Sequence, residues 1–400
     1  MSDSRTSKKL RRRAIGLVYF AGFLQGITLV SFPASGSVFK QLHGFSDAQY
    51  GAIFLPQVAL ALVGALLGGA AARRVGLKRL LWIALLGIGL SQLLLGVSAW
   101  VVPAWRYALV LGGTASMGFG FGIAGAPLNG YPPLFFPRQR DSAVVALHTL
   151  LGLGLAVGPL LIGVFIMAGR WAMFPFLLAG ICFVAALTAM LLSLPSGIED
   201  EVDAGPARDR PLTSVSFWAF AAAAVLYAFA EGTFSNWIVI YLSEAKGLAM
   251  DVATLALSVF WGALVVGRLV VSALVLRVGP ESIWVTLPLA MIAAFLLLPL
   301  ANGATLGVML FALAGLACSA FFPLTITLAA RHFPHHVAWV SSMMIAALML
   351  GVGIGSFVIG PLRSLLAFED LYRLSALYPA AVLGIAAALV ISASKRRVTD

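Results

Sequence analysis

The chain is 400 residues long, 61% hydrophobic and only 10% charged, with a mean hydropathy of +1.01. A soluble domain carries about a quarter of its residues as charges, so this composition excludes a water-soluble globular protein. The formal net charge of +11 resembles a nucleic-acid footprint, but the basic run Lys8 to Arg13 flanks an apolar stretch and faces anionic lipid instead; no nucleic-acid partner is expected.

Twelve apolar stretches are long enough to cross a hydrocarbon core about 30 Å thick. They are 14–36, 49–72, 79–100, 106–130, 141–168, 171–194, 214–242, 251–276, 282–302, 304–330, 337–361 and 368–393. A backbone in lipid must satisfy its own hydrogen bonds, so these are read as helices. None shows the polar–apolar alternation of an outer-membrane strand. The first stretch is too long for a signal-peptide core and no small-residue cleavage site follows it, so no cleaved leader is expected.

Polar residues inside the spans stand out in chain order. The first three spans carry Gln25, Gln57 and Gln92, and a basic turn, Arg74-Val75-Gly76, follows the second. The fourth contains Gly120-Phe121-Gly122-Ile123-Ala124-Gly125, which matches GxGxxG but lacks the preceding strand a dinucleotide site needs. With Gly118 and Ala126, the same glycines place small residues four apart, which lets helices approach closely in lipid. Asn129 ends this span, and His148 opens the fifth, ahead of Gly152, Gly154 and Gly158. Cys182 and Cys318, in spans six and ten, have no metal-type spacing and read as packing residues. The segment 195–213 runs from Glu199, Asp200, Glu201 and Asp203 to Arg208, Asp209 and Arg210, and reads as a solvated tether, with a regulatory site as the second reading.

Glu231, in the seventh span, is the one carboxylate placed well inside a helix. A charge there is costly, so such a residue faces a cavity, takes a proton or finds a partner, and desolvation suits it to carrying a coupled proton. Tyr227 and Ser235 share its face at four-residue spacing; a structural hydrogen bond to a neighbouring helix is the alternative. Asn236 and Trp237 follow. In the eighth span, Trp261 precedes Arg268, whose permanent charge either holds an anion or forms an ion pair inside the bundle. A second basic turn, Arg277-Val278-Gly279, closes that span.

Nineteen of the 26 Lys and Arg residues fall on the odd side of the spans and six on the other, with Arg268 inside a helix. This asymmetry places both termini in the cytoplasm, with the chain in the cell (inner) membrane. The chain also repeats itself. Gly44, Gly64, Arg74 and Gly76 stand 203 residues before Gly247, Gly267, Arg277 and Gly279, and Pro137, Gly154 and Gly158 stand 197 before Pro334, Gly351 and Gly355. Two similar six-helix bundles can rock about a central cavity, so the repeat points to alternating-access transport. The expected division is 1–194, a cytoplasmic linker 195–213, and 214–400.

Twelve helices in two repeats, with the Arg74/Gly76 turn and its Arg277/Gly279 echo, resemble the major facilitator superfamily. That family's loop motif has an acidic residue before the arginine, where this chain has Arg73 and Leu276. Gly154, Gly158-Pro159 and Gly163 partly match the family's helix-five signature, commoner in exporters, with Ile162 in place of a second glycine. Asn129, Pro137, Ala146-Leu147-His148, Gly152/Gly154 and Gly158-Pro159, joined to Glu231, Asn236-Trp237 and Tyr241-Leu242, are similar to the branch of fucose–proton and glucose symporters. Gln25 and Asn129 replace carboxylates that branch carries.

The expected protein is therefore an all-α secondary transporter with solute bound between the bundles at mid-membrane. Gln25, Gln57, Asn129, His148 and Asn236 offer hydrogen bonds, and Trp237 and Trp261 offer apolar platforms, a set that suits a neutral, sugar-like solute. Each amide also fits a role as interhelical glue, and His148 fits both a titrating and a packed imidazole. Glu231 is the candidate proton site. Export of drugs or metabolites and transport of an organic anion on Arg268 are the rival readings, and a non-transporting receptor or scaffold on the same fold stays open. No HExxH, GxSxG or phosphate-binding GxxxxGK[ST] motif occurs, so neither an enzyme, a cofactor, a metal nor ATP-driven pumping is expected. The family resemblance implies a monomer.

Overall fold

The computed structural model describes residues 2–195 and 211–399. Most of the expected linker, residues 196–210, lies outside the described residues. Twelve helices long and apolar enough to cross a membrane follow one another: α1 (Leu10–Gln41), α2 (Asp47–Ala72), α3 (Leu77–Val97), α4 (Pro103–Phe135), α5 (Ser142–Met167), α6 (Met173–Leu191), α7 (Val215–Ala245), α8 (Met250–Val278), α9 (Pro280–Leu300), α10 (Ala304–His332), α11 (Trp339–Leu362) and α12 (Phe368–Ser392). Each expected span corresponds to one helix. The first and fourth run several residues further at both ends than hydropathy indicated, because a helix continues through Lys40 and through Pro132-Pro133.

By contact the chain forms two compact units, Met1–Phe45 with Ile53–Asp200, and Ser46–Ala52 with Glu201–Asp400. Within the first, α1 packs on α5, and α2 and α3 on α4; within the second, α7 packs on α11, and α8 on α10. These close pairs are made by missing side chains. A β-carbon at Gly118 would stand 1.9 Å from the Gln57 carbonyl oxygen, and one at Gly315 would stand 2.1 Å from that of Phe260. Only glycine permits such backbone contact, and with no water to squeeze out, close packing is what joins helices in lipid. Gly154 and Gly351 serve α5 against α1 and α11 against α7 in the same way.

The two basic turns have one shape. Gly76 has φ 83° and Gly279 φ 87°, with ψ 150° at both, a region open essentially to glycine alone. Each glycine N–H returns to a carbonyl four residues back, Ala72 at 3.0 Å and Val275 at 3.1 Å. Arg74 and Arg277 are exposed beside them.

Single turn residues interrupt α1 at Ser35 and α2 at Ile53, and a longer interruption lies in α10. α10 is not continuous: helix runs over Ala304–Cys318 and again over Phe321–His332, with Ser319 and Ala320 between as a turn. Pro323 has no N–H to give the Ser319 carbonyl and sits in the first turn of the following helix, where proline is tolerated.

Candidate functional site

Near the middle of α7, α8 and α10 the second unit gathers a polar cluster around that break. Tyr227 is fully buried, and its hydroxyl meets both the Glu231 carboxyl and, at 2.8 Å, the Cys318 carbonyl. Arg268 donates through Nε to the Ser319 carbonyl at 3.0 Å. Interrupted helix thus supplies two carbonyls, and side chains from two neighbouring helices take them up, which is how irregular backbone is satisfied at membrane depth. A β-carbon at Gly267 would stand 2.6 Å from the Ser319 side chain, so glycine there brings α8 close enough for Arg268 to reach.

The cluster answers two sequence expectations differently. Glu231 is half-buried, and Tyr227, one turn away on the same face, is its partner. Arg268, expected either to hold an anion or to join an interior ion pair, is exposed and bonded to a backbone carbonyl. Among the described residues no carboxylate forms a direct ion pair with it, although its charge acts on Glu231.

The other amides and indoles sort by exposure. In the first unit, Asn129 and His148 are both exposed and joined, Oδ1 to Nε2, at 3.0 Å; the Asn129 amide also donates to the Gly125 carbonyl at 2.8 Å. Gln25 is buried and donates to the Phe121 carbonyl at 3.4 Å. Gln92 is buried, with its amide on the Ser31 hydroxyl at 3.0 Å, and acts as interhelical glue. Gln57 keeps a buried Oε1, and in the second unit Trp261 keeps a buried Nε1, without a protein partner. Orphan polar atoms of this kind await water or a ligand.

Trp237 is placed as a packing residue rather than as an open platform. It is fully buried, its Nε1 donates to the Ser356 carbonyl at 2.9 Å, and it meets Tyr50 edge-on at 4.9 Å and Phe368 at 5.8 Å. Asn236 beside it is also buried, with its amide on the Ser356 hydroxyl at 2.6 Å. Both hold α7 to α11. The break residues Ser319 and Pro323 were not singled out in the sequence; a proline in the middle of an apolar span was the available signal.

Twelve helices long and apolar enough to cross a membrane, in two compact units, define a polytopic membrane protein. The model of the Major Facilitator Superfamily matches residues 14–356, and the chain belongs to that family. Among solved structures, the chain is similar to a mutant of the nucleoside transporter NupG at 16% identity, with TM-score 0.78 over 94% of this chain and 99% of that one. It is also similar to a bacterial homologue of the human lysosomal transporter Spinster. The inward-facing unoccupied form matches at 15% identity with TM-score 0.70 over 96% of both chains, and the occupied form at 15% with TM-score 0.67 over 96% and 95%. No curated protein sequence matches the chain.

Proposed function

We propose that this transporter carries a small neutral polar solute, sugar-like in its hydroxyls, in symport with a proton. The observation behind the proton is Glu231, a carboxylate near the middle of α7 bonded to a tyrosine hydroxyl, with the Arg268 charge acting on it but in no direct ion pair with it. An intramembrane carboxylate fixed by a cation stays ionised, whereas one bonded to a neutral hydroxyl is free to cycle between its two states. For the solute, the exposed Asn129–His148 pair and the orphan atoms of Gln57 and Trp261 supply donors and acceptors of the kind hydroxyls match. The likeness of His148 and Glu231 to the fucose–proton and glucose symporters supports the same reading, while Gln25 and Asn129 depart from it by standing where that branch carries carboxylates. A nucleoside, the cargo in the NupG structure's description, bears ribose hydroxyls and falls within this class.

Glu231→Gln keeps the shape and cannot take up a proton. In reconstituted vesicles it is expected to abolish accumulation driven by a pH gradient while solute exchange across the membrane survives. Normal pH-driven accumulation by the variant would remove Glu231 from the proton path.

A second reading, an organic anion as cargo, is favoured by one observation: Arg268 is exposed and has no carboxylate partner among the described residues. Losing a charge-assisted hydrogen bond costs about 1.5–3 kcal/mol, roughly ten- to a hundredfold in affinity. Ligand titration in detergent separates the two readings. On the sugar reading Asn129→Ala and His148→Ala weaken binding and Arg268→Gln does not; selective loss in Arg268→Gln sinks that reading and leaves the anion.

A further inference from the structure

We infer that Tyr227 passes the protonation state of Glu231 to the break in α10, an inference that rests on Glu231 being the proton site. The Tyr227 hydroxyl lies within hydrogen-bond reach of two acceptors, the Glu231 carboxyl and the Cys318 carbonyl, yet it owns a single hydrogen. With Glu231 ionised, the carboxylate is the stronger acceptor and takes that hydrogen, so the Cys318 carbonyl goes without it. When Glu231 takes up a proton, its new O–H donates to the Tyr227 oxygen, and the tyrosine hydrogen turns to Cys318. One proton enters, and one hydrogen bond is added at the interrupted ladder of α10.

The surroundings hold the tyrosine in place for this exchange of partners. Its ring lies parallel to Phe321 at 5.2 Å and to Phe322 at 6.4 Å, both on the far side of the break. Trp284 of α9 stacks on Phe321 at 5.5 Å and donates to Thr325 at 2.8 Å, anchoring that segment. The charged and titratable groups acting on Glu231 are Tyr227 from its own helix and Arg268 from α8, with the buried Cys318 thiol facing it from α10. α11 meets α7 through Gly351, Gly355 and Ser356, and α12 places Tyr378 against Phe229 at 5.3 Å. Arg268 holds the Ser319 carbonyl beside the switching one. Protonation therefore ties the break to α7, and loss of the proton releases it.

Tyr227 is thus a positioning residue, and the measurement is backbone hydrogen–deuterium exchange over Ser319–Leu324, read by mass spectrometry across a pH series with the intrinsic exchange rate divided out. Wild-type protein is expected to gain roughly three- to tenfold protection at the acid end, the scale of one net hydrogen bond. Glu231→Gln, whose amide donates permanently to Tyr227, is expected to stay protected at every pH. Tyr227→Phe keeps the ring and is expected to stay unprotected at every pH, while peptides from α4 exchange alike in all variants. A Tyr227→Phe protein that titrates like wild type overturns the relay and leaves Glu231 as the proton site. A flat wild type, with Glu231→Gln indistinguishable from it, overturns both. Should Tyr227→Phe not purify folded, a Glu231→Gln protein whose protection still follows pH overturns the relay by itself.

Discussion

Gln25 in the first unit and Tyr227 in the second occupy matching places, judged by the glycines that flank them: Gly154 meets Phe23 as Gly351 meets Val225. Each reaches a carbonyl at corresponding positions, Phe121 at 3.4 Å and Cys318 at 2.8 Å. Beyond that shared bond the units part. The counterparts of Glu231, Arg268 and Pro323 are Leu29, Ala65 and Ala126, and α4 stays helical from Pro103 to Phe135 where α10 breaks. One side of the scaffold keeps an uncharged bond beside an unbroken α4; the other has been given charge and an interrupted α10. The difference teaches that the break, Glu231 and Arg268 belong together, since the first unit has the shared carbonyl bond but a counterpart to none of the three.

The shared part of the scaffold is the most sensitive to change. Gly118→Ala and Gly315→Ala each drive a methyl into a backbone carbonyl, and overpacking of this kind typically costs about 1–3 kcal/mol or more. Both variants are expected to lose most of their folded yield, by similar amounts, in size-exclusion profiles and thermal melts. A large loss in one unit and none in the other would show that the repeated contact is not equally structural.

A second contrast lies at the position before each repeated glycine turn. Lys246, before Gly247, pairs with Glu369 at 3.0 Å and donates to the Pro299 carbonyl at 2.8 Å. His43, before Gly44, is instead buried among Phe39, Phe45 and Trp171, with Nε2 on the Ser98 hydroxyl at 2.9 Å. Burial, and then the Arg106 charge, push its imidazole from 6.5 down to about 4. In the window between those values the unfolded chain binds more protons than the folded one. The His43 contribution to stability is therefore constant above about pH 6.5, falls as the pH drops toward 4, and levels off below; the loss from this group reaches at most about 3 kcal/mol. Thermal midpoints measured against pH should show this decline in wild type and a weaker one in His43→Gln. An unchanged decline would assign it to other groups.

The third test concerns the break alone. Arg268→Leu leaves the Ser319 carbonyl without its donor, a cost of about 1–3 kcal/mol. In a Pro323→Ala background a backbone N–H becomes available to the same carbonyl, and the cost should shrink. Equal costs in both backgrounds, in a double-mutant cycle of thermal stability, would separate Arg268 from the helix break.

These asymmetries explain what could be read beforehand. The twelve spans were legible because apolar length is a property of composition, and the repeat because turns such as Gly76 and Gly279 demand one residue type. Glu231 was legible because a lone carboxylate in an apolar run has few explanations, and Tyr227 because it lies one helical turn away. The break was hidden: Cys318 to Leu324 is apolar enough to read as uninterrupted span, and only Pro323 hinted otherwise. The partner of Arg268, left open between an anion and an interior ion pair, was hidden for the same reason, since its acceptor is a carbonyl that exists only once the helix opens. Trp237 and Asn236 were legible as polar groups in lipid but not by the face they present; burial against Ser356 is a matter of packing that no hydropathy pattern carries.

The glycine contacts have a mechanical consequence. Helices that touch backbone to backbone have no cushion of side chains to deform, so α8 and the first part of α10 behave as one stiff plank riveted at Gly315. Bending within α10 is then concentrated at Ser319 and Ala320, the two residues of that span where no continuous helix resists it. A force applied anywhere along that plank is delivered to a flexure two residues wide.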